Sequence, residues 1–116
     1  MARVCLIVED EPPILRLVAL VLQGMGCETL AAPNAEAALD ILASAKPDLI
    51  ITDVRLPGMN GDELARELKA NPQLATTPVI LMSAYGEPPR HNGDGFLPKP
   101  FDIDQLVEFV QPYVGV

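Results

Sequence analysis

Glu9 and Asp10 follow the first apolar run of the chain, Asp53 the third, Ser83 the fourth and Lys99-Pro100 a fifth. Each run reads as a buried strand, so each polar group stands at a strand's carboxyl end. In an open parallel sheet with helical crossovers those ends share one edge, where such folds place their sites. Glu9, Asp10 and Asp53 side by side repel one another and stay ionised together only around a cation. Their hard oxygens favour Mg2+, which keeps some of its waters and bridges phosphoryl oxygens. Asp53 is then the candidate nucleophile, forming an acyl phosphate. The Ser83 hydroxyl and the Lys99 ammonium would each meet a phosphoryl oxygen. Taken singly these are a solvated carboxylate, a turn serine and a surface lysine. Their fall at successive strand ends of one chain points to metal-assisted phosphoryl transfer to an aspartate.

The elements that must position these groups alternate. Val4 to Val8 reads as a buried strand. Pro12-Pro13 opens a helix with apolar residues at 14, 15, 18, 21, 22 and 25, ended by Gly24 and Gly26. Glu28 to Ala31 is a short second strand, and Asn34 caps a helix running through Ala43. Leu49-Ile50-Ile51 is the third strand, and Val54 to Gly61 a loop by its Pro-Gly and Asn-Gly signals. A helix spans about Gly61 to Ala70 and stops near Asn71-Pro72. Val79 to Met82 is the fourth strand, and Phe96-Leu97 belongs to a fifth. Asp102 to Gln105 has the form of a capping box and starts a last helix, with Ile103, Leu106, Val107 and Val110 on one face, ending near Tyr113. Ala84 to Gly95 breaks the rhythm: two prolines, three glycines and no apolar stripe predict a loop, or at most one turn, in place of a crossover helix. The pattern is α/β, with helices on both faces of a parallel sheet.

At 116 residues the chain is expected to be one domain, residues 1–116. Hydrophobic residues are 49% and aromatics only 4%, so the core must be aliphatic. A net charge of -8 with scattered basic residues argues against a nucleic-acid surface. No apolar run has transmembrane length, and the acids after Val8 spoil a signal peptide, so no membrane contact and a cytoplasmic location are expected. Cys5 and Cys27 read as buried reduced thiols without metal-ligand spacing. His91, the sole histidine, lies in the Pro/Gly-rich loop and is expected to be solvent-exposed.

Val8-Glu9-Asp10-Glu11, Thr52 to Gly61, Met82-Ser83-Ala84 and Leu97-Pro98-Lys99-Pro100-Phe101 together resemble a response-regulator receiver domain, the phosphoacceptor of two-component signalling. The resemblance covers essentially the whole chain and implies a flavodoxin-like, doubly wound, five-stranded sheet of order 2-1-3-4-5. It implies that Asp53 is phosphorylated, that Asp10 binds Mg2+ directly with Glu9 acting largely through water, and that the Arg55 carbonyl is the third protein ligand. It further implies that Ser83 and Phe96 are the hydroxyl and aromatic switch residues, that Lys99 binds the phosphoryl group, and that the Lys99-Pro100 peptide is cis. The implied donor is a histidine kinase or a histidine phosphotransfer protein. Output would then pass to another protein, because no effector segment follows the last helix in this sequence; alternatively, the chain is a receiver excised from a larger protein such as a hybrid histidine kinase.

The departures are local. The stretch from Ser83 to Lys99 is shorter than usual by more than a helical turn, which removes part of the usual dimerisation face. Pro78, Tyr85 and Gly86 are similar to a subgroup of receivers with a degenerate fourth helix, while Leu81, Met82 and Ser83 depart from it. Receivers attached to hybrid histidine kinases also carry Met-Ser-x-Tyr with a shortened loop. Bulky Arg55 and Tyr85, each two residues past a site residue, are expected to shield an acyl phosphate. Beside a phosphorylation-switched binding module stand three other readings: a phosphate sink or relay, a phosphate-ester hydrolase, and a scaffold that is never phosphorylated. The missing cap domain disfavours the hydrolase, and the intact Asp53, Asp10, Ser83 and Lys99 set disfavours the scaffold. The chain is expected to catalyse only its own phosphorylation and dephosphorylation.

Overall fold

The computed structural model describes residues 2–114. Met1, Gly115 and Val116 lie outside the described residues. The elements in order are β1 (Val4–Val8), α1 (Pro12–Gly24), β2 (Glu28–Ala32), α2 (Ala35–Leu42), β3 (Leu49–Asp53), α3 (Gly61–Ala70), β4 (Val79–Ser83), β5 (Gly95–Pro98) and α4 (Ile103–Val114). The strands form one parallel sheet of order β2-β1-β3-β4-β5, the order expected from the resemblance.

Strand alternation divides the core between the two faces. Cys5, Ile7, Ile51, Ile80 and Met82 point to one side and pack under α1 (Val18, Leu22) and α4 (Leu106, Val110). Leu6, Val8, Ile50, Val79 and Leu81 point to the other, under α2 (Ala35, Ala38) and α3 (Leu64, Ala65, Leu68). Because β1, β3 and β4 are covered on both faces, their sequences are continuous apolar runs rather than alternating ones.

The helix starts follow their side chains. Asn34 Oδ1 accepts the Ala37 N–H at 2.7 Å, and Asp102 and Gln105 exchange bonds of 2.8 and 2.9 Å, both as the sequence indicates. A second capping box, Asn60 with Glu63, opens α3 and is absent from the sequence reading. The strands carrying the site run slightly longer than expected: Asp53 and Ser83 are the last residues of β3 and β4 rather than the first residues beyond them.

Residues 84–94 hold no helix, as their prolines and glycines require. This strap is held by polar bonds to α3 and β4 instead of by an apolar face. The Asn92 backbone N–H and side-chain amide donate to Asp62 Oδ1 at 2.7 and 3.1 Å. Asp94 Oδ2 accepts from Val79 N at 2.8 Å and from Lys69 Nζ at 2.6 Å, and Asp94 N donates to Val79 O at 2.7 Å. Between them Gly93 lies flat on the sheet: a Cβ there would stand 2.8 Å from Leu81 Cγ. His91 departs from expectation. Its side chain is only 12% exposed, because the strap folds it back toward the sheet beside Phe96.

Candidate functional site

β1, β3, β4 and β5 deliver Glu9, Asp53, Ser83 and Lys99 to one end of the sheet. Glu9 is 1% exposed and Asp53 6%, so both carboxyls sit where water solvates them poorly. Lys99 Nζ bridges them, donating to Glu9 Oε1 at 2.8 Å and to Asp53 Oδ2 at 3.0 Å. The Glu11 N–H donates to Glu9 Oε2 at 3.1 Å. Burial, helped by the Asp53 charge, holds the Glu9 carboxyl above its ordinary range, and the bonds from Lys99 and Glu11 do not cancel that. Burial alone would pull the Lys99 ammonium down. Its bonds and charge attraction to Glu9 and Asp53 together outweigh burial and leave it raised, so the amine is firmly protonated.

Glu9, Asp10 and Asp53 each offer a carboxylate oxygen, and the three oxygens lie within 4.8 Å of one another. Asp10 is exposed, so a hard cation here would keep water on its open side. Both Glu9 oxygens already accept protein hydrogen bonds, which leaves Asp10 and Asp53 as the freer donors.

Ser83 is 3% exposed, and its Oγ accepts the Tyr85 N–H at 3.0 Å, leaving its own hydrogen to donate. It follows Met82, the register partner of Asp53, so β3 and β4 carry the two residues along neighbouring edges of the site. The Lys99-Pro100 peptide is cis, as the resemblance implies.

The site opens into a groove of about 530 Å³ walled by Ile14 and Leu17 of α1 and by Tyr85, Pro100 and Phe101. Across its mouth the Arg55 guanidinium stacks on the Tyr85 ring, 4.0 Å from the centroid. Phe96 stands apart from this groove. It is half-buried on the α2/α3 face of the sheet, with its ring centroid 6.4 Å from that of His91.

The sequence reading missed two contributors. Gly61 opens α3 directly against β3, where a Cβ would stand 2.1 Å from the Asp53 carbonyl oxygen. The signal was the Asn60-to-Glu63 capping box, which fixes Gly61 as the first helical residue. Leu17 lines the groove although it fell outside the expected core stripe of α1. Its i+3 spacing from Ile14 marks the helix edge that faces the site.

Residues 5–111 match the sequence model of the response regulator receiver domain. The phosphate regulon transcriptional regulatory protein PhoB of Pseudomonas aeruginosa is 39% identical over 108 residues, which span 88% of this chain and 47% of that protein. The chain therefore matches about half the length of that relative. Sporulation initiation phosphotransferase F of Bacillus subtilis is 36% identical over 115 residues, 94% of this chain and 91% of that protein. Among solved structures, the receiver domain from the hybrid histidine kinase CckA superposes with a TM-score of 0.80 at 38% identity, covering 97% of this chain and 99% of that one.

Proposed function

The chain belongs to the response regulator receiver domain family, the phosphoacceptors of two-component systems, and from that premise we propose that Asp53 is its phosphoacceptor. The observation that carries this is the buried Glu9–Lys99–Asp53 bridge beside Asp10, at the mouth of a groove open to a donor. Asp53 Oδ1, the oxygen Lys99 does not engage, attacks the phosphorus of a phosphohistidine on a histidine kinase or phosphotransfer protein. A P–O bond forms, the P–N bond breaks, and the imidazole leaves with the electron pair of that bond. Lys99 Nζ, already 3.0 Å from Asp53 Oδ2, follows one phosphoryl oxygen, and the Ser83 hydroxyl donates to another. Asp10 and Asp53, with the Arg55 carbonyl and with Glu9 through water, would hold Mg2+, which supplies charge neutralisation at the phosphoryl oxygens. We read the chain as a single receiver domain that would use its own groups to take up and release phosphate rather than to turn over a separate substrate.

Output is proposed to run through Ser83 and Phe96 to a downstream protein, without nucleic-acid or membrane contact by this domain and in the cytoplasm. Among the described residues no helix is long and apolar enough to cross a membrane. One observation favours a second reading, a phosphate relay: the helix-free strap at 84–94 removes part of the face on which receivers commonly display output.

Borohydride reduction of the phosphorylated chain followed by peptide mapping tests the assignment. An acyl phosphate at Asp53 yields homoserine at position 53 and at no other acidic position. Homoserine elsewhere, or none, rejects Asp53.

A further inference from the structure

The strap around His91 serves none of the chemistry above, yet it is built with care. The Gly93 N–H donates to His91 Nδ1 at 3.1 Å, so Nδ1 carries no proton. The ring's hydrogen is therefore on Nε2, 2.7 Å from Glu87 Oε2, to which it donates. Both ring nitrogens are used, and they are used by the neutral tautomer. The ring also packs beside Phe96, tilted 35° with centroids 6.4 Å apart.

A proton arriving on Nδ1 would face the Gly93 N–H, donor against donor. One partner must move, and the backbone is the worse placed to do so. Gly93 rests on Leu81, Asn92 is tied to Asp62, and Asp94 is tied to Val79 and Lys69. The imidazole is the partner that can turn, because its other tie is to the exposed Glu87 side chain, 2.7 Å from Nε2. Glu87 is the charged group bonded to the ring; Arg90 and Asp94 lie on the same strap, and Asp62 and Lys69 of α3 bond its neighbours Asn92 and Asp94. β5 contributes only the uncharged Phe96.

We propose that His91 is a proton-operated latch: neutral, it closes the strap over Phe96 through Gly93; protonated, it keeps Glu87 on Nε2, gives up the Gly93 amide at Nδ1 and turns away from one side of the Phe96 ring. The latch makes the position of Phe96 depend on pH in the unphosphorylated protein. That this would bias signalling rests on the switch role proposed for Phe96, whereas the latch itself does not.

The test is an NMR titration of the isotopically labelled, unphosphorylated chain from about pH 8 to about pH 5, the range in which histidine ordinarily changes charge. The His91 ring, the Gly93 amide and the Phe96 ring are expected to move together with one midpoint. His91→Gln, which keeps a neutral acceptor and donor at all pH, is expected to abolish the transition at Gly93 and Phe96. Gly93 and Phe96 signals that stay flat while His91 titrates, or that still move in His91→Gln, overturn the proposal.

Discussion

Lys99 is the residue on which the site turns. Without its ammonium, two buried carboxylates would face each other with no charge between them, and breaking such a buried pair typically costs about 3–5 kcal/mol. In the proposed transfer the same ammonium would meet an incoming phosphoryl oxygen from its present place beside Asp53, so little would need to reorganise. Arg55 and Tyr85 act at the mouth. Their stack holds the guanidinium over the ring in the groove that Asp53 also lines, where we propose it would limit the approach of a hydrolytic water. The Arg55→Ala, Tyr85→Ala double variant is expected to lose its phosphoryl group roughly tenfold faster, a change of about 1.4 kcal/mol in barrier, followed as decay of the phosphorylated mass. Decay no faster than the parent's would refute shielding. At this scale the sequence was explicit about residue types: Glu9, Asp10, Asp53, Ser83 and Lys99 all follow from polar groups ending apolar runs. The Arg55–Tyr85 stack was not legible, because it joins side chains 30 residues apart through a contact that no periodicity encodes.

α3 is the element that seats the site. Its capping box turns the chain at Asn60, and Gly61 then lets the helix press on β3, with its N–H donating to Val54 O at 2.8 Å. Gly61→Ala puts a Cβ 2.1 Å from the Asp53 carbonyl oxygen, so the helix start must withdraw. It is expected to cost about 1–3 kcal/mol in urea denaturation, as overpacking does. An unchanged midpoint would mean that this seating is slack. Strand and helix positions were readable from apolar runs, prolines and caps, and the lack of a helix at 84–94 from prolines and glycines that no helix tolerates. What holds that segment was not readable. Its anchors, Asp62–Asn92 and Lys69–Asp94, pair residues 30 and 25 positions apart. The same closeness buries His91, which composition alone placed in water.

Across the whole molecule, the parallel order β2-β1-β3-β4-β5 converts a linear pattern into a site by bringing four strand ends together. The aliphatic core beneath is dry enough to lift the Cys5 thiol to about 12, chiefly by burial, with Cys27 adding to it. The fold thus favours the neutral thiol. Its contribution to stability is whole below the ordinary thiol range, near 8.5, and is lost as pH rises from there toward 12. Alkylation near neutrality is expected to reach Cys5 and Cys27 only at the rate of global opening, while the urea-unfolded chain reacts at both at once. Rapid labelling of Cys5 in the native protein would contradict this packing. The most direct measurement is intact mass after incubation with a small acyl-phosphate donor, with and without Mg2+, beside Asp53→Asn. One added phosphoryl group, requiring both Mg2+ and Asp53, is the expected result. Addition that persists in Asp53→Asn, or that ignores Mg2+, would contradict the assignment of Asp53 and its acidic neighbours as a metal-assisted phosphoacceptor.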